Sequence, residues 1–400
     1  MSVEGTVHPR FVPVRDEFIR SFKNGSETGA GLSVWHDGQH VVDLWGGIRD
    51  REAHLPYEAD TLSTFFSVTK GMTAICFLML ADRGQFDYDA KLSTYWPAFA
   101  ASDKQTITGR MLLSHRSGLL GFAEPITLDQ LEHAPEDLTA ILERARPIWT
   151  PGAHQGYHAV SYGLYAAELF RRIAGESMGT FFRREVSAPL GADVYIGLPE
   201  ALESRVAKNY PLTSAERLTV ALPDILIRAG AEARIVMSVL RRGDSLYAFA
   251  EPHELGASGM HHFNTRRVHA LELPWANGLG SARGLCRVYA ALANGGSLDG
   301  VTLVKPEALA PLRERQSWSS RDRVLNRPMG WSLGFVKEDP GVFSTHSTTS
   351  FGHPGIGGSL GWCDPARKLA IGYLTVKMAH QVRSPRALSL CRVIDACVGS

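Results

Sequence analysis

Ser67-Val68-Thr69-Lys70 stands immediately ahead of the run Met72-Thr-Ala-Ile-Cys-Phe-Leu-Met-Leu80, and it is the only Ser-x-x-Lys in the chain. The run is apolar on nearly every face, so it reads as a helix buried on all sides, with Gly84 as its stop. Ser67 then falls at the N-cap or first turn, with Lys70 one turn along on the same face. A lysine is a poor structural choice there. The helix N-terminus carries partial positive charge and burial disfavours an ammonium, so both push Lys70 toward a neutral amine. Such an amine can take a proton from a serine hydroxyl three residues away. The competing reading is an N-cap serine followed by an accidental lysine.

Working outward, 400 residues suffice for one large domain or two interleaved ones. Hydrophobic content of 44% with 21% charged residues is that of an ordinary globular protein. A net charge of +1, with no Lys/Arg-rich block, gives no reason to expect nucleic acid or an acidic membrane as partner. No G-x-x-x-x-G-K-[ST] loop is present. Residues 1–20 lack an apolar core for a signal peptide, and no apolar stretch is long enough for a membrane span. The five cysteines are odd in number and irregularly spaced, which suits small buried residues in a reducing compartment. The expected location is the cytoplasm.

Residues 11–23, with Phe11, Val14, Phe18 and Phe22 on one face, suit an amphipathic helix. Leu32–Trp35 and Val41–Trp45 read as a hairpin turning at Asp37-Gly38. From about residue 61 the pattern turns helical, including Leu128–Arg144 and Tyr162–Ile173. Strand character returns at Trp331–Val336 and in a second hairpin, Ser359–Cys363 and Leu369–Val376. Leu388–Val398 closes the chain as a helix. No elements are assigned within 204–275. The expected fold is α/β: an antiparallel sheet from residues 1–60 and 276–400, flanked by N- and C-terminal helices, holding a helical insertion over 61–275.

Two further segments join the first motif. One is Pro151-Gly-Ala-His-Gln-Gly-Tyr157-His-Ala159-Val-Ser-Tyr162-Gly-Leu164; the other is Gly352-His353-Pro354-Gly355-Ile356-Gly-Gly-Ser359-Leu-Gly361. With the phrases Leu112–Leu119, Asn277–Arg283 and Leu292–Gly296 between them, the chain resembles the serine β-lactamase and penicillin-binding-protein superfamily. It is most similar to the class C β-lactamase-like, or family VIII, carboxylesterases. The resemblance implies Ser67 as nucleophile, Lys70 as its base and Tyr157 as third member. Tyrosine alone is a poor base, but beside Lys70 a phenol can share and relay one proton. The same phenol can protonate a leaving alcohol and activate the deacylating water. The implied oxyanion hole is the backbone N–H of Ser67 and of Ile356.

The departures favour esters over β-lactams. Ala159 stands where such β-lactamases have asparagine, and His353-Pro354-Gly355 replaces Lys-Thr-Gly. The lost amide, ammonium and hydroxyl are groups that grip a β-lactam. His353 can still donate to Tyr157 or to a substrate oxygen.

Several features are decoys on this reading. Gly357-Gly-Ser359-Leu-Gly361 fits the G-x-S-x-G elbow, which needs a following helix, but a strand and the turn Asp364-Pro365 follow, with only His380 downstream. His154 and His158, like His261-His262, read as solvated loop histidines without carboxylates at metal spacing. His115 reads as a hydrogen-bonded structural histidine. Trp275, Trp331, Phe335 and Phe351 suit the core or a substrate pocket. The sequence therefore points to a serine carboxylesterase acting through an acyl-enzyme on short- to medium-chain esters, with no cofactor or metal. The rivals are an acyltransferase, a weak β-lactamase or D-amino-acid peptidase, and a non-catalytic sensor or assembly protein.

Overall fold

A computed structural model describes residues 2–211, 243–250, 252–256, 259–337, 347–379 and 384–399. Its main element is an antiparallel sheet drawn from both ends of the chain. The strands are β1 (Val3–Val7), β2 (Gly29–His36), β3 (Gln39–Asp50), β4 (Ser317–Ser319), β5 (Met329–Trp331), β6 (Val336–Lys337), β7 (Phe351–Pro354), β8 (Leu360–Asp364) and β9 (Leu369–Thr375). They lie in the order β1-β3-β2-β9-β8-β7-β6-β5-β4, with Leu55–Pro56 pairing on β3. The β2–β3 hairpin turns at Asp37 and Gly38, both at positive φ (46° and 76°), the geometry that favours this dipeptide.

Helix α1 (Val12–Lys23) and helix α5 (Pro385–Gly399) pack together on one face, burying Phe11, Val14, Phe18, Leu390 and Ile394 against Leu32, Val34, Val42 and Ile371. The opposite face takes helix α4 (Ala282–Ala293), whose Leu285, Tyr289 and Leu292 join the larger core. That core continues into α2 (Thr69–Asp82), where every residue from Thr69 to Leu80 is buried, and into α3 (Ser161–Ala174). Gly84, at φ 70°, follows the end of α2.

Three expectations need correction. Trp331–Val336 is not one strand. It is the tight turn joining β5 to β6, closed by the Ser332 N–H donating to the Phe335 carbonyl at 2.9 Å and bent at Gly334, φ 79°. Helix Leu128–Arg144 is two helices, Leu128–His133 and Pro135–Arg144, because Pro135 cannot continue a helix but opens one well. Strand β1 lies where the sequence showed no pattern, since three of its five residues are charged, small or polar and it is an edge strand.

Candidate active site

Every residue from 61 to 80 is buried except Ser67. A serine serving only to cap a buried helix has no need of that opening. Ser67 lies in a 3-10 turn, Phe66–Val68, that feeds directly into α2. Phe66 ahead of it sits at φ 48°, a left-handed conformation costing a bulky residue about 1–3 kcal/mol. The turn is held by its surroundings. The Phe66 carbonyl accepts the Thr69 hydroxyl at 2.5 Å, Thr69 Oγ1 accepts the Gly278 N–H at 2.9 Å, and the Phe66 ring packs edge-on to Phe263.

The Tyr157 hydroxyl donates to Ser67 Oγ at 2.9 Å. Tyr157 comes from the loop before α3, and several groups fix it there. Its N–H donates to Asp322 Oδ1 at 3.1 Å, its ring stacks on Trp331 at 5.3 Å with an interplanar angle of 3°, and His115 lies edge-on at 5.1 Å. Asp322 is fully buried and also accepts the N–H groups of Val324 and Leu325, so its carboxylate ties two loops together. Burial pushes the Tyr157 phenol above its ordinary range, so the resting group is a phenol and not the phenolate expected beside an ammonium.

Lys70 is fully buried, and burial drives its pKa well below the ordinary lysine value. Its Nζ donates to the Ala159 carbonyl at 2.7 Å and to the Trp275 carbonyl at 3.0 Å, and lies 4.9 Å from the centre of the Tyr157 ring. A neutral amine has two N–H bonds and one lone pair. Two carbonyls take both N–H groups and leave the lone pair available.

Ala159, which lacks the amide of an asparagine, thus contributes its carbonyl instead. The Trp275 carbonyl had no signal in the sequence. Its loop is pinned by buried Asn277, which accepts the Leu273 N–H and donates to the carbonyls of Val268 and Leu271. The framework phrase beginning at Asn277 was the available pointer to it.

Strand β7 delivers the third segment. Gly355 passes so close to the Ser67 turn that a Cβ there would sit 2.4 Å from the Phe65 carbonyl oxygen. Ile356 follows, 41% exposed, and the Ser67 N–H lies at the start of the 3-10 turn that opens into α2, where helix geometry offers the earliest N–H groups no intrahelical acceptor. Phe249, another exposed apolar residue, lies 6.3 Å from the Tyr157 ring.

A sequence model of the family described as Beta-lactamase matches residues 15–389. The chain belongs to the beta-lactamase family. It is 34% identical over 375 residues to the esterase/beta-lactamase LipL of Mycobacterium tuberculosis, a match covering 92% of this chain and 81% of that protein. A solved family VIII carboxylesterase superposes with a TM-score of 0.86 at 34% identity, covering 99% of this chain and all of the other. A penicillin-binding protein homologue from Caulobacter crescentus superposes with a TM-score of 0.84 at 30% identity, covering 99% of this chain and 100% of that one.

Within this beta-lactamase fold, the donor role expected of His353 is not what its ring offers. Nδ1 lies 2.7 Å from the Pro354 carbonyl, which can only accept, so Nδ1 carries the hydrogen. Nε2 is left as a buried lone pair with no partner among the described residues. Burial and Lys70 lower the ring's pKa to about 3, so it stays neutral.

His158 also corrects the sequence reading. It is not solvated but fully buried, with Nδ1 donating to the Gly156 carbonyl at 2.7 Å and Nε2 accepting from Ser117 Oγ at 2.9 Å. Its N–H donates to His115 Nδ1 at 3.1 Å, which makes both histidines supports of the Tyr157 loop. His154 and His261 are exposed as expected. Ser359 is buried and leads into strand β8, not a helix. His380 lies outside the described residues. Trp275, Trp331, Phe335 and Phe351 are all buried, and of these Trp331 touches Tyr157.

Proposed function

We propose that this chain is a serine carboxylesterase that cleaves short- to medium-chain esters through an acyl-enzyme on Ser67. The observation that carries this reading is the contact between the Ser67 hydroxyl, in the one part-exposed residue of 61–80, and the Tyr157 phenol, beside a buried lysine with no counter-ion among the described residues. The esterase names of LipL and of the family VIII carboxylesterase support the same class.

Ser67 Oγ attacks the ester carbonyl while its proton passes through the Tyr157–Lys70 pair, neutral Lys70 being the base. The developing oxyanion takes hydrogen bonds from the Ser67 and Ile356 N–H groups. As the tetrahedral intermediate collapses, the C–O bond to the alcohol breaks and the Tyr157 phenol, recharged by Lys70, protonates the leaving oxygen. Water then attacks the acyl-enzyme, giving its proton to the same pair, and Ser67 is released with the carboxylic acid. Every group in this cycle is a side chain or backbone amide of this chain. Exposed Phe249, close to the Tyr157 ring, offers apolar surface suited to an acyl chain. The substrate is a small uncharged ester, and five cysteines that are all buried accord with work in the cytoplasm. No helix among the described residues is long and apolar enough to cross a membrane.

The test compares two serines on p-nitrophenyl butyrate. Ser67→Ala should lower kcat by several orders of magnitude with the fold intact, whereas Ser359→Ala should keep substantial activity. Labelling of Ser359 rather than Ser67 by an active-site phosphonate would overturn the assignment. Turnover of ampicillin comparable to that of the ester would favour a β-lactamase.

A further inference from the structure

His353 holds an unusual position in the proposed site. It is 2% exposed, its ring centre lies 6.1 Å from Tyr157 and 6.0 Å from Trp331, and its Nε2 meets no donor among the described residues. A buried polar atom without a partner is costly, and most such atoms in native proteins are satisfied by protein, water or ligand. The tautomer is fixed by the Pro354 carbonyl, so Nε2 can only accept. Where relatives with Lys-Thr-Gly present a cationic donor, this chain presents a neutral acceptor. The partner it calls for is therefore a hydroxyl or N–H donor, and a carboxylate is excluded by lone-pair repulsion.

The side of the ester that meets His353 follows from its neighbour. Tyr157 hands its proton to the leaving oxygen in the mechanism above, and His353 packs beside the Tyr157 ring. The donor therefore belongs to the alcohol portion of the ester. We propose that His353 determines specificity by accepting a hydrogen bond from a free hydroxyl on the leaving alcohol, so that the favoured substrates are monoesters of diols and polyols. This deepens the esterase reading and rests on it.

The closing experiment pairs 2-hydroxyethyl butyrate with propyl butyrate, which differ by a hydroxyl in place of a methyl. Each kcat/KM is divided by the ester's rate with hydroxide to remove intrinsic reactivity. The wild-type enzyme should favour the hydroxyethyl ester by about tenfold or more, since a site built to bind a hydroxyl discriminates against its loss. His353→Phe should abolish that preference, and His353→Gln, whose Oε1 also accepts, should keep part of it. A wild-type ratio at or below one would overturn the proposal and leave Nε2 to a resident water. A preference surviving in His353→Phe would equally overturn it. If p-nitrophenyl butyrate is turned over while the ratio is flat, only this inference fails. If no ester is turned over, the esterase reading falls and takes this with it.

Discussion

Two buried cationic side chains in this molecule are handled in opposite ways. Arg386 is 9% exposed and pairs with the carboxylate of Glu27, Nη1 to Oε2 at 3.1 Å. Its remaining hydrogens go to the carbonyls of Ser26, Gly357 and Lys377 and to the Ser384 hydroxyl. Glu27 in turn accepts from the hydroxyls of Tyr373 and Thr375, both at 2.7 Å, and from the N–H of Thr28 and Gly29. That is a charge kept and fully satisfied. Lys70 is as deeply buried but meets carbonyls only, with no carboxylate partner among the described residues. Burial disfavours an ammonium there and drives the group toward a neutral amine that can serve as a base. A missing counter-ion alone does not make a base, since buried Lys104 also meets only carbonyls, those of Glu143 and Ala145; what distinguishes Lys70 is that the Tyr157 ring and its Ser67 partner lie beside it.

The comparison breaks most visibly at Lys70. Lys70→Met should lower ester kcat by about 10⁴-fold, about 5.5 kcal/mol in the barrier, because the base is gone. Its urea midpoint should move little, since the lost bonds to two carbonyls are offset by removing a desolvated amine. Glu27→Gln should do the reverse. It leaves Arg386 buried and uncompensated, at a cost of about 3–5 kcal/mol read from the urea midpoint. The folded variant should stay within about tenfold of wild-type kcat, as Arg386 reaches the site only through the Gly357 carbonyl beside Ile356. A Glu27→Gln enzyme of normal stability but lost activity would reassign the pair to catalysis.

Legibility divides along the same line. Ser67 and Lys70 are three residues apart on a buried helix, so local sequence carries both their identity and their geometry. The β2–β3 hairpin is legible for the same reason, through Asp37-Gly38. Glu27 and Arg386 are 359 residues apart, and nothing local marks them as partners. The acceptors of Lys70 are backbone carbonyls, which any residue supplies, so neither Ala159 nor Trp275 could be identified from its side chain. Asp322, which anchors Tyr157, sits between Arg321 and Arg323, and nothing in the local sequence marks it as buried. His158 was misread because spacing between histidines says nothing of burial, and the partners that bury it, Ser117 and His115, lie some forty residues upstream. Trp331–Val336 was misread as one strand because apolar residues in a tight buried turn have the same composition as a strand.

The smallest effect sharpens the comparison through pH. Lys70 has a folded pKa depressed by burial, whereas its unfolded value is the ordinary one of 10.5. As pH falls through that upper value the unfolded chain binds a proton that the folded chain refuses, so the unfolded state is favoured. Between the two pKa values stability therefore rises with pH, with a limiting slope of about 1.4 kcal/mol per unit. Below the folded value both states are protonated and the slope vanishes. Lys104 and Lys337, each lowered to about 8 by burial, add slopes of the same sign. The wild type alone therefore does not isolate Lys70. Subtracting Lys70→Met does: the difference in urea midpoint between wild type and variant should grow in favour of wild type as pH rises toward 10, while Glu27→Gln should run parallel to wild type. Parallel curves for Lys70→Met would mean that Lys70 keeps its proton in the folded state, and the base in the proposed mechanism would have to be another group.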